Sequence, residues 1–395
     1  MARTRPVRPR RKPMDLREKR FFSRRQAPTG RLFGLAQRLY TELPMCLFGN
    51  GYAFPPWQYI IELTRRCNLQ CRMCLNAAWR AHVPADEQQN RELSLNEWRG
   101  VIDQIPAFRL VSFTGGEVFV RPDFPELLEY AGRRHFTHVM TNLTTVSEDR
   151  AVMLGRLAAR RLGRLGLMVV GTSLDGPAEV HDHIRGLPGA FERTLQTMRQ
   201  LLDVRKTLRK TCPRLHISAV IQRDNARMLA ELPRIAKEAG ADELLLLCET
   251  RAYDLRTDAV ENPATIAWAD IPWPRIDRNM LRASLLACMD ASRAAGIRLR
   301  LPRMPLDDLL DYYDGIELPL NRYTCRSPWY MLGMDCAGNV GSCGYGLVGN
   351  VRDTPLAKLW NGPRQRRFRR DRLGSLLAIC PGCCFMEHRD AAKWI

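Results

Sequence analysis

Short apolar segments alternate with longer amphipathic segments along most of the chain. The apolar segments have the length and composition of buried strands. They cover residues 58–64, 110–114, 138–144, 167–174, 215–222 and 243–248. The amphipathic segments, with helical spacing of apolar positions, cover residues 95–105, 125–134, 147–162, 190–205 and 226–239. This order predicts an α/β fold of six βα units, with a parallel sheet that is covered on its faces.

The pattern changes after about residue 320, where cysteine, glycine and arginine become frequent and long helices end. We therefore predict a basic N-terminal arm at 1–55, a βα core at 56–315 and a small cysteine-rich domain at 316–395. In parallel sheets the chemistry collects at the carboxyl ends of the strands. The polar motifs of the core all follow predicted strands, so we expect them to lie at one edge of the sheet.

Three cysteines follow the first predicted strand in the segment CNLQCRMC (67–74). The thiolates of Cys67, Cys71 and Cys74, at i, i+4 and i+7, can bind three irons of a 4Fe–4S cluster. The fourth iron then lacks a protein ligand, and such an open position is typical of a catalytic centre. Zinc is the alternative, but it would need a fourth ligand. The nearest histidine, His82, is eight residues beyond Cys74, an unusual ligand spacing.

This motif resembles that of the radical S-adenosylmethionine (SAM) superfamily. The resemblance implies a partial (βα)6 TIM-like barrel, in which the open iron binds the amino and carboxylate groups of SAM. One electron then cleaves SAM to methionine and a 5′-deoxyadenosyl radical, which abstracts a hydrogen atom from the substrate. The family usually has an aromatic residue near the adenine, just before the third cysteine. Met73 stands there instead, and its polarisable side chain can pack on the purine.

Three segments at predicted strand ends resemble the SAM-binding segments of this superfamily. Gly-Gly-Glu at 115–117 matches the segment that binds the amino group of SAM, since glycines allow close approach and a carboxylate can accept from an ammonium group. Thr-Asn at 141–142 stands where the family often has Thr-Asn-Gly, with Leu143 replacing the glycine, and its asparagine can bind ribose or main chain. A serine and an arginine after the fourth strand are implied to hold the SAM carboxylate, which suits the paired donors of a guanidinium. The implied SAM-binding residues are Met73, Gly115, Gly116, Glu117, Asn142, Ser173 and Arg185.

Six of the thirteen cysteines lie between residues 325 and 384. Two of these are 18 residues apart (343 − 325), and a Cys-x-x-Cys segment follows at 380–383. Four thiolates make a site closed to substrate, for which zinc is the rival metal on ligand count. The layout resembles the SPASM/twitch extension of the radical SAM superfamily, in the shorter twitch form with one auxiliary 4Fe–4S cluster. Cys384 is the alternative to the last ligand, and Cys336 is a spare cysteine. The implied ligands are Cys325, Cys343, Cys380 and Cys383.

The single-cluster layout resembles that of 2-deoxy-scyllo-inosamine dehydrogenase. The first functional hypothesis is therefore a radical SAM oxidoreductase that oxidises a sugar or an aminocyclitol-like small molecule. The second is a maturase that modifies a ribosomally made peptide or protein, and the remote third is a non-enzymatic RNA-binding or scaffold protein. The expected cofactors are the SAM-binding 4Fe–4S cluster, the auxiliary 4Fe–4S cluster and SAM. The expected partners are a small-molecule or peptide substrate and an electron donor such as flavodoxin or ferredoxin.

Much of the formal net charge of +19 lies in two basic segments of the chain. Residues 1–25 contain eleven Lys and Arg, and residues 364–372 contain six Arg. Such runs are typical of solvated surfaces, but they can also bind an acidic peptide leader or nucleic acid. No recognition motif with interleaved aromatic residues accompanies them, which disfavours nucleic acid. No apolar run of about eighteen residues predicts a membrane span, and the cysteines favour metal binding in the cytoplasm.

Overall fold

The computed structural model describes residues 31–250, 267–268, 271–343 and 346–390. Residues 1–30, which form most of the predicted basic arm, lie outside the described residues. The strands are β1 Gln58–Glu62, β2 Leu110–Thr114, β3 Phe136–Met140, β4 Gly166–Ser173, β5 Arg214–Ile221, β6 Glu243–Cys248, β7 Arg298–Arg300, β8 Tyr323–Cys325, β9 Met331–Met334, β10 Asn339–Gly341, β11 Leu347–Asn350 and β12 Met386–His388.

One large sheet organises the molecule, in the order β11-β10-β9-β1-β2-β3-β4-β5-β6-β7. Strands β1 to β7 are parallel neighbours in chain order. Strand β9 returns to pair parallel with the outer side of β1, and β10 and β11 follow as antiparallel strands. A separate antiparallel pair joins β8 to β12. The large sheet is therefore continuous from the βα core into the cysteine-rich segment.

Helices connect the parallel strands, as the alternating pattern predicts. They are α1 Arg31–Leu47, α2 Leu75–His82, α3 Ala85–Asn90, α4 Leu95–Asp103, α5 Phe124–Gly132, α6 Glu148–Leu157, α7 Ala178–Arg185, α8 Ala190–Thr207, α9 Leu232–Glu238, α10 Arg278–Ala295, α11 Leu306–Asp314, α12 Ser327–Tyr330, α13 Leu356–Trp360 and α14 Pro363–Gly374. Short 3-10 turns cover Val118–Val120, Leu229–Glu231 and Leu320–Arg322. Among the described residues, no helix combines the length and the apolar character that a membrane span requires.

The α/β fold and the six predicted βα units are confirmed, but several element boundaries differ; the predicted helix at 147–162, for example, is Glu148–Leu157. Two of these differences have a local cause. The third strand is Phe136–Met140 rather than 138–144, because Leu143 adopts a left-handed backbone with φ 63° that ends the extended chain. The fifth predicted helix is shortened to Leu232–Glu238. Its expected first turns are absent because the Asn225 side chain accepts from the Gln222 N–H at 2.9 Å and donates to the Val220 carbonyl at 2.8 Å.

Buried and half-buried residues alternate along the strands, so one face of the sheet packs into the core and the other face is more open. In β1, Tyr59 and Ile61 are buried while the residues between them are half-buried, and β3 repeats this pattern around Val139. The buried positions pack into the main hydrophobic core with residues of the covering helices, such as Trp98 and Leu128. The half-buried positions line the inner face of a partly open barrel, which leaves polar side chains accessible at the carboxyl ends of the strands.

Candidate active site

The cysteine segment forms a loop between β1 and α2 that neighbouring elements hold on two sides. Cys74 is the N-cap residue of α2, and Arg80 on that helix donates back to the carbonyls of Arg65 at 3.0 Å and Leu69 at 2.7 Å. On the other side, the backbone N–H groups of Gln70 and Arg72 donate to the last residues of α7, at 3.2 and 3.0 Å. The loop is therefore a fixed structure that spans the first and fourth βα units.

A buried ion-pair network holds the residue that precedes Cys67. Arg66 donates to Glu92 through Nε at 3.0 Å and Nη2 at 2.9 Å, and Arg121 donates to the same carboxylate at 3.2 Å. Thr64 also hydrogen-bonds to Glu92. Two guanidinium groups on one carboxylate satisfy a buried charge. Nothing in the spacing of the sequence connects Glu92 to the cysteine loop, so the sequence did not reveal it.

The sulfur atoms of this loop already receive hydrogen-bond donors from the chain. Cys67 Sγ accepts from the Leu69 N–H at 3.4 Å and from Asn142 Nδ2 at 3.8 Å, and Cys71 Sγ accepts from Arg185 Nη1 at 3.8 Å. Burial raises the pKa of the Cys67 thiol to about 11, and the Leu69 N–H offsets part of that rise. Donors aimed at two sulfurs of this loop, Cys67 and Cys71, suit an anionic iron–sulfur cluster, so the donor set fits the predicted group.

The Gly-Gly-Glu segment after β2 packs directly against the cysteine loop. Gly116 N–H donates to the Thr64 carbonyl at 2.7 Å, and Glu117 N–H donates to the Arg66 carbonyl at 2.9 Å. A Cβ atom on Gly115 would overlap the Thr64 carbonyl, and one on Gly116 would overlap the Arg66 carbonyl. The predicted close backbone approach is therefore present, although the neighbour in contact is the cysteine loop itself.

Glu117 lies in the core, in contrast to the predicted contact of its carboxylate with an ammonium group. The side chain is fully buried and accepts from Phe119 N–H at 3.0 Å, Thr141 Oγ1 at 2.7 Å and Asn142 N–H at 2.7 Å. Burial raises the pKa of Glu117, and these three donors lower it only in part. The carboxylate therefore joins the ends of β2 and β3 and has no free face for a cofactor group.

Asn142 connects the end of β3 to the cysteine loop. Its Nδ2 donates to Asn68 Oδ1 at 2.9 Å, and its Oδ1 accepts from the Thr144 N–H at 2.8 Å. Both ends of the amide are therefore used within the protein, and the Thr144 N–H is a main-chain partner of the kind predicted as the alternative to ribose. Leu143 takes the backbone conformation that the glycine of the family would favour, while its side chain is buried in the core.

Arg185 is paired inside the protein with a carboxylate that the sequence did not single out. Its Nε and Nη2 donate to Asp175 Oδ2 at 2.7 and 2.6 Å, and Asp175 Oδ1 accepts from the Val220 N–H at 3.1 Å. Burial would raise the pKa of Asp175, but the guanidinium of Arg185 outweighs it and the pKa is lowered. The predicted role of Arg185 was to hold the SAM carboxylate. In the structure, two of its donors are taken by Asp175 and the third faces Cys71.

Ser173 and Met73 lie at the same edge as these residues. Ser173 is the last residue of β4 and is in register with Ser218 of β5, and its side chain is half-buried. Met73 is half-buried in the loop between the second and third cysteines. The structure thus brings all the predicted residues of the first site to the carboxyl edge of the sheet, with Glu117, Asn142 and Arg185 already engaged by protein partners.

The cysteines of the C-terminal segment also lie close together. Cys325 ends β8 opposite Met386 of β12, and the chain enters β12 directly after the Cys-x-x-Cys turn. Burial, together with the neighbouring Cys383 and Cys343, raises the pKa of the Cys325 thiol to about 12. Cys380 Sγ accepts from the Leu377 N–H at 3.3 Å. The predicted ligands raise the pKa of one another's thiols, so they lie in one region of the fold although they come from three separate parts of the chain.

The remaining cysteines of this region divide into two groups. Cys336 is buried beside Glu62 and Arg65, away from the four-thiol cluster, which agrees with its prediction as a spare residue. Cys384 hydrogen-bonds with Cys383, and this contact raises the pKa of the Cys383 thiol and lowers the pKa of the Cys384 thiol. Cys248 is the last residue of β6 and is buried. Burial and the nearby Cys383 together raise the pKa of its thiol to about 12, so Cys248 borders the four-thiol cluster.

Direct contacts join the four-thiol cluster to the end of the sixth strand. Thr250 Oγ1 donates to the Gly382 carbonyl at 3.3 Å, and a side chain at Gly382 would clash with the Tyr312 hydroxyl. Tyr312 in turn donates to the Glu249 carbonyl. Since β1 and β6 are parallel strands of one sheet, both cysteine groups lie at its carboxyl edge.

The inner face of the barrel carries two histidines that sequence reasoning missed. His138 Nδ1 lies 3.4 Å from Ser112 Oγ, which accepts from Gln58 Nε2 at 3.0 Å. The rings of His138 and His216 are 5.2 Å apart. Burial lowers the pKa of His138 to about 4 and that of His216 to about 3, so both rings are neutral at physiological pH. Their position on alternate, inward-facing strand residues is the signal that could have identified them.

Two protein families match separate parts of the chain. The Radical SAM superfamily matches residues 61–213, a range that contains the first cysteine loop and the ends of β1 to β4. The SPASM iron-sulfur cluster-binding domain matches residues 325–384, a range that runs from Cys325 to Cys384. These ranges agree with the two cysteine groups that the structure places at one edge of the sheet.

Relatives with established names match over different lengths. Fe-coproporphyrin III synthase of Methanosarcina barkeri is 35% identical over 34% of this chain and 31% of its own length. AdoMet-dependent heme synthase of Oleidesulfovibrio alaskensis is 27% identical over 78% of this chain and 75% of its own length. PqqA peptide cyclase of Rhodopseudomonas palustris is 33% identical over 48% of this chain and 46% of its own length.

Solved structures share the fold. Streptococcus suis SuiB bound to the precursor peptide SuiA has a TM-score of 0.58 and 15% identity, over 88% of this chain and 74% of that chain. The structure of anSMEcpe with bound AdoMet has a TM-score of 0.56 and 17% identity, over 86% of this chain and 95% of that chain. The predicted fold class, clusters and cofactor are confirmed by these matches. The chain therefore carries a radical SAM domain, matched over residues 61–213, and a C-terminal SPASM iron-sulfur cluster-binding domain, matched over residues 325–384.

Proposed function

We propose that this radical SAM enzyme modifies a ribosomally made peptide or protein by abstracting a hydrogen atom from it. The observation that carries the proposal is the position of both cysteine groups at the carboxyl edge of one sheet, an arrangement in which one extended substrate can reach both. The names of PqqA peptide cyclase and of the SuiB complex with its precursor peptide support a peptide as the substrate class.

Cys67, Cys71 and Cys74 are the proposed ligands of the SAM-binding cluster. When bound, the cluster and SAM supply the 5′-deoxyadenosyl radical. The chain's own residues hold the loop in place: Arg185 donates toward Cys71 while Asp175 balances its charge. The polar groups proposed to orient SAM are the backbone of Gly115, the carbonyl of Gly116 and the hydroxyl of Ser173, at the edge where the loop lies. All three residues are half-buried, so a bound cofactor can reach them.

Cys325, Cys343, Cys380 and Cys383 are the proposed ligands of a single auxiliary 4Fe–4S cluster, in the twitch form. A site closed by four thiolates has no free position for SAM, and its contacts with Thr250 and Tyr312 keep it next to the barrel. This arrangement suits electron transfer from a substrate radical. The electron that starts the reaction is proposed to come from a flavodoxin or a ferredoxin.

Oxidation of a sugar or an aminocyclitol, which the cysteine layout suggested, has no support among the named relatives. Their names refer to peptides and to haem synthesis. The peptide hypothesis therefore replaces it as the main proposal. A tetrapyrrole substrate is the second candidate, because the heme synthase of O. alaskensis aligns with most of this chain whereas the peptide cyclase aligns with about half.

The test measures 5′-deoxyadenosine from anaerobically reconstituted full-length protein supplied with SAM and dithionite. The substrates are the short peptides encoded beside its gene, iron-coproporphyrin III and 2-deoxy-scyllo-inosamine. We expect one peptide to raise 5′-deoxyadenosine above the substrate-free rate and to change in mass only when SAM is present. A response to the porphyrin alone would favour the second candidate. A response to the aminocyclitol alone would restore the small-molecule hypothesis and refute the peptide proposal.

Iron analysis tests the ligand assignment independently of turnover. Two 4Fe–4S clusters correspond to about eight irons per chain, and about four are expected after Cys67, Cys71 and Cys74 are replaced by alanine. Cys212→Ala is the matched control, because Cys212 is buried just before β5, at the opposite edge of the sheet. An intact protein with about four irons would contradict the auxiliary site.

A further inference from the structure

The outer side of helix α1 presents large apolar side chains to solvent. Leu39, Leu43 and Leu47 follow one another at four-residue spacing and are 54%, 44% and 64% exposed. Phe48 and Tyr52, directly after the helix, are 37% and 38% exposed. Single exposed leucines are ordinary on protein surfaces, whereas a contiguous apolar stripe of this size marks contact with another molecule.

The opposite side of α1 is fixed to the body of the protein. Thr41 is buried, and Tyr40 donates to the Pro55 carbonyl at 2.8 Å. Glu42 forms an ion pair with Arg326 at 2.7 Å, close to Cys325. The helix cannot rotate its apolar side inward without losing these contacts. The stripe is therefore a rigid feature, and it belongs to the same part of the molecule as the auxiliary cysteines.

Arginines of helix α14 border this stripe. Arg366 Nε donates to the carbonyl of Asn50, between Phe48 and Tyr52 in the chain. Arg370 is one helical turn beyond Arg366, on the same side of the helix, and it is exposed. Helix α14 thus places positive charge along one side of an apolar surface. The arginine run that sequence analysis left without a role is part of this arrangement.

We propose that the surface formed by Leu39, Leu43, Leu47, Phe48, Tyr52, Arg366 and Arg370, named here the α1–α14 face, binds an amphipathic helical segment of the precursor peptide. Apolar residues four apart on that segment pack on the leucine stripe, and its carboxylates pair with the arginines. The identification of the occupant as precursor peptide rests on the proposed function. An RNA would use the arginines but would leave the leucines and aromatic side chains uncovered, so the combined chemistry favours an acidic peptide.

Fluorescence anisotropy with a synthetic probe tests the α1–α14 face on the full-length reconstituted protein without SAM. The probe is a fluorescein-labelled peptide of about 20 residues, with leucines every fourth residue on one side and glutamates on the other. A scrambled peptide of the same composition is the matched probe. We expect Leu43→Asp and Arg370→Glu each to weaken binding of the helical probe about tenfold, and the scrambled peptide to bind at least about tenfold more weakly.

Control variants separate this face from general charge and exposure. Leu162→Asp and Arg133→Glu change an exposed leucine and an exposed arginine on other surfaces, and binding should stay within about twofold. Leu47→Asp, at the more exposed end of α1, replaces Leu43→Asp if that variant loses helix content by circular dichroism.

Three results would overturn the inference. Equal binding of the scrambled peptide would indicate that the surface recognises the charge of the peptide and not its amphipathic helix. Tighter binding of an RNA of about 20 nucleotides would indicate a nucleic-acid surface. A wild-type dimer that Leu43→Asp dissociates in sedimentation would make a second copy of the chain the occupant. The assay measures binding and not turnover. A failure of the α1–α14 face to bind the probe can therefore be told apart from a failure of the protein to modify a peptide.

Discussion

Replacement of His135 by phenylalanine is expected to remove part of the protein's sensitivity to acid. His135 lies between α5 and β3, at the edge of the sheet opposite the cysteines, and it is fully buried. Neither ring nitrogen makes a well-formed hydrogen bond. Burial, aided by the charge of Arg134, lowers the pKa of His135 to about 4 from its ordinary 6.5. The folded protein therefore holds a neutral ring that takes up a proton more readily once the chain unfolds.

The difference between the two pKa values sets the sign and the size of the effect. Because the folded value lies below the unfolded value, the stability that the neutral ring contributes is fully present above pH 6.5 and is lost as the pH falls toward 4. Between about pH 8 and about pH 5.5, the free energy of unfolding should fall by about 1.4 kcal/mol through this residue alone. At about pH 5 the loss grows to about 2 kcal/mol.

Urea unfolding of the wild type and of His135→Phe, each at about pH 8 and about pH 5.5, measures this loss. The phenylalanine ring fills nearly the same space and cannot take up a proton, so the wild type should lose about 1.4 kcal/mol more than the variant. Groups common to both proteins, including the clusters, cancel in the comparison. His82→Phe, at an exposed position on α2, is the control for removal of an imidazole. Equal losses in the wild type and His135→Phe would refute the reasoning.

Three further substitutions test the groups that hold the site. Asp175→Asn leaves Arg185 without its buried counter-charge and should lower stability by about 3–5 kcal/mol in thermal unfolding, whereas Asp290→Asn on the surface of α10 should change it little. In Leu143→Gly, relief of the left-handed backbone stabilises the protein by about 1–2 kcal/mol, but loss of the buried side chain destabilises it by about 2–5 kcal/mol. A net loss of stability in thermal unfolding is therefore expected, and a gain would contradict this reasoning. Glu117→Gln places an amide NH₂ group among three hydrogen-bond donors and should lower the free energy of unfolding in urea by about 1–3 kcal/mol. An unchanged midpoint would argue against a role of Glu117 in joining the ends of β2 and β3.

The sequence was informative where one segment carries its own chemistry. The cysteine spacing and the strand-end motifs identified the edge of the sheet where the site lies, because local patterns determine both. The partners of those motifs were not predictable. Asp175 meets Arg185, and Glu92 meets Arg66, only after helices and strands have packed, and neither pair has a diagnostic spacing. The position of Cys248 beside Cys383 was not predictable for the same reason, because the two residues are distant in the sequence and only the fold brings them together.

The pairing of β9 with β1 has a consequence for the order in which the protein is made. Tyr59 and Leu332 are partners in the sheet although they are 273 residues apart (332 − 59). At the usual rate of translation, about 15–55 s pass between their exits from the ribosome. During that interval the strand that leads into the first cysteine loop has an open edge, which is a site for mispairing. Completion of the radical SAM site is therefore coupled to completion of synthesis, and the nascent chain depends on protection of that edge until its C-terminal partner arrives.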